Sequence, residues 1–185
     1  MYDISIRIKD ASGSEHCFDV KTQSHKNPAV SVTNSVQPSK QNTPVKIGAD
    51  GSHLPADATN HVAVLDPRTG LMWAVESLGG ARGVNQKDAS SLLNGFALLG
   101  HTNWRVPEIE ELQTLVKFTA SNPAIDADLF PGTKSDWYWT NTAYAPSPTD
   151  VAWFVSFSFG YSVSGGRDYS FGFVRGVRSV ASSGQ

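Results

Sequence analysis

The chain has 185 residues, 39% hydrophobic and 17% charged, with 15 Lys and Arg against 17 Asp and Glu for a net charge of -2. Near-neutral charge without a block of like charges argues against an electrostatic grip on nucleic acid or anionic lipid. The single Cys17 removes disulfide scaffolds, iron–sulfur sites and Cys-rich zinc modules. No stretch approaches the ~20 apolar residues of a membrane span, and MYDISIRIKD has no apolar run of the signal-peptide kind. Cytoplasmic synthesis is therefore expected, with a phage virion or the cell surface as destinations.

Of the 19 aromatic residues, only Tyr2 and Phe18 lie in residues 1–60. A large core needs bulky side chains, so the principal domain is expected over residues 61–180. A β-rich segment and polar linker over 1–60 precede it, and a flexible tail over 181–185 follows. Tyr2, Ile4, Ile6 and Ile8 alternate with Asp3, Ser5, Arg7 and Lys9, the period of a strand with one buried face. Phe18 with Val20, and Val30 with Val32, predict two more strands. Three short strands are near the limit of independent stability, so docking on the main domain or on other copies is expected. Residues 34–60 carry three prolines, two glycines and no aromatic, which reads as an extended connection with one short strand at 45–47.

HVAVLD and LMWAV flank Pro67, Arg68, Thr69 and Gly70 and predict a hairpin. A first helix starts at the N-cap Asn85, presents Ala89, Leu92, Leu93, Phe96 and Ala97 on one face, and ends at Gly100. A second starts at Pro107 and turns Ile109, Leu112, Leu115 and Val116 inward. Glu108, Glu110 and Glu111 fall in its opening turns, where carboxylates suit the helix dipole, so they read as structural rather than as general acids. After Phe118, WYWT, VAWFVSFSFGYSV and VRGVRSV predict strands. Helices first and strands after predict an α+β fold with antiparallel sheet.

His16, His25, His53, His61 and His101 show no metal-binding spacing, and no nucleophile elbow, P-loop or dinucleotide fingerprint occurs. No catalytic residue, metal or cofactor is expected. The 20 residues from Phe154 to Phe173 instead contain five Phe, two Tyr, five Ser and four Gly. Seven rings exceed what one strand pair buries on one side. Some are expected at the surface, where aromatics among Ser and Gly form a binding face of the kind antibodies use.

TGLMW (69–73), GHTNWRVPEIEELQTLV (100–116), PAIDADLFP (123–131), YWTNTAYA (138–145), AWFVSFSFG (152–160) and VRGVRS (174–179) follow one another in an order that resembles the C-terminal domain of the Legionella collagen-like protein family. The resemblance implies a C-type lectin-like fold, with two helices and twisted antiparallel sheets, preceded here by the β-rich region. It places Trp104, Arg105 and Pro107 at the turn into the second helix and Trp139 and Trp153 in the core. Arg175 and Arg178 fall on the last strand as structural residues, one of them paired with Asp126 or Glu111. The Glu-Pro-Asn and Trp-Asn-Asp signatures of calcium-dependent sugar binding do not occur. The late segment also resembles the variable region of retroelement-diversified proteins. There Ala152, Trp153, Val155, Phe157 and Gly160 take scaffold positions and Phe154, Ser156, Ser158, Phe159 and Tyr161 variable ones, with a bulge after Phe157 reconciling this with strand alternation.

The expected protein is a non-catalytic display module. Its ligand site comprises Tyr144, Phe154, Ser156, Ser158, Phe159, Tyr161, Asp168, Tyr169 and Phe171, facing a protein or glycan on a target surface. The alternative is a structural subunit of a phage or cell-surface assembly, its aromatic patch a contact between copies of a homo-oligomer.

Overall fold

The computed structural model describes residues 42–180 throughout and, before them, only the backbone of β1 (Asp3–Lys9), β2 (Glu15–Lys21) and β3 (Thr33–Ser35). The chain divides into two units, Met1–Gln41 and Asn42–Gln185. In the first, β1, β2 and β3 form an antiparallel sheet in that order, with Ile4 opposite Val20 and Ile6 opposite Phe18. Val30, Val32, Cys17's side chain and the tail over 181–185 lie outside what is described.

The second unit begins earlier than residue 61. β4 (Val45–Ile47), at the strand expected there, pairs with β5 (His53–Leu54) and with β6 (Ala63–Asp66), so part of the expected linker belongs to the main sheet. The expected hairpin is present: β6 turns through residues 67–70 into β7 (Leu71–Leu78), the turn held by Arg68 on the Asp66 carboxylate. β11 (Val174–Ser179) completes an antiparallel sheet in the order β11-β7-β6-β4-β5. A second sheet, β10-β9-β8, contains β8 (Trp137–Ala143), β9 (Val151–Ser156) and β10 (Ser162–Gly166). Phe173 joins the sheets by hydrogen bonds with Trp137 and Trp139. The unit is mixed helix and antiparallel sheet, as expected of an α+β chain.

Both helices are shorter than their apolar periodicity predicts. α1 (Gln86–Asn94) starts where Asn85 accepts the Asp88 N–H but ends at Gly95. Ala89 and Leu93 are buried, whereas Leu92 is 41% exposed. Gly100 does not cap this helix. It sits with Leu99 at positive φ inside a tight turn closed by reciprocal hydrogen bonds between Leu98 and His101, a conformation that favours Gly. Phe96, beyond the helix, packs edge-on against Trp104. α2 (Ile109–Gln113) starts after Glu108, two residues later than Pro107, because the Pro107 carbonyl is held by the Asn141 N–H of β8.

The glutamates of α2 are structural. Glu111 accepts the Glu108 N–H at 2.8 Å and takes both ends of the Arg105 guanidinium at 2.6 and 2.7 Å. Those Arg105 hydrogen bonds outweigh partial burial and hold the Glu111 carboxyl below its ordinary value of 4.5. A carboxyl with a depressed native pKa binds its proton more tightly in the unfolded chain, so its contribution is complete above 4.5 and lost as pH falls through the native value. Glu111→Gln is therefore expected to cost about 1 kcal/mol at pH 7, allowing for solvent screening. In urea titrations the gap from the parent should close at acid pH; a gap independent of pH would contradict the pairing.

Two apolar clusters enclose the sheets. One gathers Trp104, Trp139, Phe154, Leu93 and Val174, and the other Trp73, Tyr138, Val155, Phe157, Leu112 and Val177. The successive β9 residues Phe154 and Val155 enter opposite clusters, so the end of this strand is covered on both faces.

Candidate functional site

The stretch expected to be one long strand is broken. β9 stops at Ser156, residues 157–160 form a loop, and β10 returns antiparallel with Ser162 opposite Val155. The loop is closed by the Gly160 N–H on the Ser156 carbonyl and the Ser156 N–H on the Tyr161 carbonyl. Gly160 has φ of 80° and leaves no room for a side chain, since a Cβ there would stand 2.7 Å from Val116 Cγ1. This loop, rather than a bulge, turns Phe157 inward and Phe159 outward. Phe157 has no exposure, whereas Phe159 is 66% and Tyr161 48% exposed, their rings parallel with centroids 6.5 Å apart.

Two of the nine expected ligand residues are core. Phe154 and Ser156 have no solvent exposure. The Phe154 ring stacks on Trp139 at 3.7 Å and lies where glycines leave space. A Cβ at Gly165 or Gly172 would stand 2.6 Å from it. The glycines of this stretch are thus recesses for rings: the Tyr169 ring likewise covers Gly166, where a Cβ would fall 2.0 Å away. Trp153, expected in the core, is half-buried and packs edge-on against Tyr144.

The remaining expected residues divide between the two ends of β10. At its start, Ser158 is half-buried with its hydroxyl on the Ser135 carbonyl, beside exposed Phe159 and Tyr161. Past its end, Asp168, Tyr169 and Phe171 are exposed, with Tyr169 at 74% and Phe171 at 58%. The Arg167 N–H on the Asp150 carbonyl ties that loop to the one after Tyr144, which is half-buried. Sequence reasoning missed Phe118. It is 84% exposed, and its ring comes within 3.7 Å of the Cβ position at Gly160, which places it beside the Phe159 and Tyr161 loop. The signal available was that Phe118 is a bulky residue beyond the end of the helical period.

Arg175 and Arg178 are structural, but neither pairs with an acid among the described residues. Arg178 donates to Asn103 Oδ1, and Arg175 to the Ala74 and Val75 carbonyls, Ser77 and Thr133. Glu111 is taken by Arg105 and Asp126 by Lys117.

The model of the Lcl C-terminal domain matches residues 62–178, more than half of the chain. The chain belongs to that family. No curated protein and no solved structure matches it. Every expected ligand residue and Phe118 fall inside the Lcl C-terminal domain, while β4 and β5, which extend its sheet, precede the matched segment. Among the described residues of this Lcl member, no group of three or more His, Cys, Asp or Glu comes together, and no helix is long and apolar enough to cross a membrane.

Proposed function

We propose that this Lcl C-terminal domain is a non-catalytic ligand-binding module that displays an aromatic face to a protein or glycan on a target surface. One observation carries the reading. Among the described residues six large hydrophobic side chains are exposed, five of them aromatic, and four of these flank β10: Phe159, Tyr161, Tyr169 and Phe171. A chain that closes two apolar clusters and leaves these rings outside keeps them for contact with something else. Membership of the Lcl C-terminal domain family supports a surface or binding role in place of catalysis.

In this reading the scaffold is C-type lectin-like, which suits two helices on antiparallel sheets. The face is a diversified receptor-binding surface whose variable positions reduce to Ser158, Phe159 and Tyr161, because Phe154 and Ser156 are core. A near-identical template copy beside a reverse transcriptase supports the diversification, and a genome with neither overturns it. A phage virion or cell surface is the setting proposed.

The test is a screen of the full chain against a glycan array and a randomised peptide library. Phe159→Ala, Tyr161→Ala and Tyr169→Ala together are expected to weaken any binder found by about 2 kcal/mol or more with folding intact, the size of a hot spot. Unchanged affinity overturns the site. A parent that sediments as an oligomer and dissociates on these substitutions makes the face a subunit interface instead.

A further inference from the structure

The loop that carries Phe159 and Tyr161 adjoins a cleft outside the expected site. The cleft encloses about 330 Å³ between the β6–β7 hairpin, the segment after α2 and residues 126–130. That volume falls at the lower end for small-molecule sites and suits one large side chain. Its walls include Val64, Trp73, Leu115, Val116, Leu129 and Phe130. Val116 belongs to both features: it lines the cleft and packs against Gly160, between Phe159 and Tyr161. Lys117 at the rim is followed directly by Phe118, the most exposed ring of the described residues.

The charged groups of the cleft already hold one another, while the buried Trp73 indole N–H in its wall has no partner among the described residues. Asp66 takes the Arg68 guanidinium through both oxygens, the shortest contact 2.6 Å, and also accepts the Arg68 N–H. Asp126 takes Lys117 on one oxygen and the Asp128 and Leu129 N–H groups on the other. Thr114 donates to the Glu111 carbonyl. Two acids and two bases cancel, so the rim selects neither an anion nor a cation. A sugar ring seated here would lose water from its hydroxyls without finding unengaged carboxylates to replace it. An apolar side chain meets no such cost, and an aromatic one brings about 150–250 Å² of surface to bury.

We infer that this cleft is the anchor pocket of a protein partner: it receives one apolar, aromatic-sized side chain, while the adjoining ledge of Phe118, Phe159 and Tyr161 packs against the flanking partner surface. This rests on the reading of the domain as a binding module and narrows its ligand from protein or glycan to protein. A central pocket filled by an aromatic anchor and surrounded by water-excluding contacts is the arrangement that concentrates binding energy in protein interfaces.

The test uses the full chain labelled with nitrogen-15, N-acetyltryptophanamide as a probe for the anchor, and methyl glycosides of mannose, galactose and glucose as the carbohydrate arm. N-acetyltryptophanamide is expected to shift the Trp73 indole and the Val116 and Lys117 amide resonances saturably, and the glycosides to leave them unmoved. Thr114→Trp, at an exposed rim position, is expected to fill the cleft without disturbing the core and to weaken the probe about tenfold or more, whereas Leu92→Ala, exposed on α1 and outside the cleft lining, leaves it unchanged. Glycosides that shift these resonances, or a probe that shifts none of them, overturn the inference. If library peptides lose affinity on Phe159→Ala and Tyr161→Ala but not on Thr114→Trp, the ledge stands and the pocket falls. The reverse pattern removes the ledge and keeps the pocket.

Discussion

Arg175→Ala is expected to lower the unfolding free energy by about 3–5 kcal/mol, the scale seen when one member of a buried charged network is removed. Typical domains are stable by only about 5–15 kcal/mol, so the loss is a large part of the whole. The cause lies in the main sheet. Between Arg175 and Val177 the register of β11 against β7 shifts, so Ala74, Val75 and Glu76 face Gly176 alone. The Ala74 and Val75 carbonyls are answered by Arg175 Nη1 at 2.8 and 2.6 Å, while Nη2 reaches Ser77 at 3.1 Å and Thr133 at 2.7 Å. The guanidinium lies 4.7 Å from the Phe130 ring centroid and 5.7 Å from that of Tyr138, in cation–π range. Burial pushes its pKa down to about 10, which leaves it cationic at neutral pH. The fork therefore carries the charge on carbonyl dipoles, hydroxyls and ring faces in place of a carboxylate. Alanine removes the donors and strands two carbonyls. Arg175→Lys keeps a charge but not the planar fork, and is expected to fall between parent and alanine. Urea denaturation followed by circular dichroism measures all three; a loss below about 1 kcal/mol for alanine would show that water replaces the fork without penalty.

Residues 61–180 were legible in the sequence wherever local chemistry decides the structure. The β6–β7 hairpin follows from apolar runs around Pro67 and Gly70, and the start of α1 from Asn85, because turns and caps are set by a few neighbouring residues. What was lost depends on partners remote in sequence. β4 stands at 45–47 as expected, but β5 is two residues long, too short for a periodic signal, and is a strand because it pairs with β4. The apolar period of α1 runs on to Phe96, but the helix stops at Gly95 and Phe96 finds Trp104 instead. The partners of Arg175 were unreadable for the same reason, since Ala74 and Thr133 lie far away along the chain. At the candidate site the count of rings was informative, and their sorting into core and surface was not. Alternation assumes one wet face, and the end of β9, from Phe154 to Ser156, has none. Gly165 and Gly172 looked like adaptable surface, yet each is the space into which the Phe154 ring fits.

That sorting gives the second large effect. Phe154 and Phe159 are both Phe, five residues apart in a stretch of nearly uniform composition, and the sequence assigns both to one ligand face. The structure separates them. Phe154→Ala is expected to cost about 3–5 kcal/mol, the range for truncating a large buried aromatic that leaves a cavity. The loss includes the stack on Trp139 at 3.7 Å and the tilted contact with Trp137 at 5.4 Å, so the near-ultraviolet circular dichroism of these tryptophans should weaken with it. Phe159→Ala removes a ring that is 66% exposed and meets only the parallel Tyr161 ring among aromatic partners, so stability should stay within about 0.5 kcal/mol. Binding should show the opposite ordering once each variant is compared at a temperature where it is folded: affinity kept by Phe154→Ala and lost by Phe159→Ala. Thermal melts and binding isotherms on the two variants decide it. A folded, fully stable Phe154→Ala that no longer binds would return Phe154 to the ligand face and remove the two-sided burial at the end of β9. The ordering expected here instead makes the same residue type scaffold on β9 and contact three residues beyond its end, with the positive φ of Gly160 turning the chain between them.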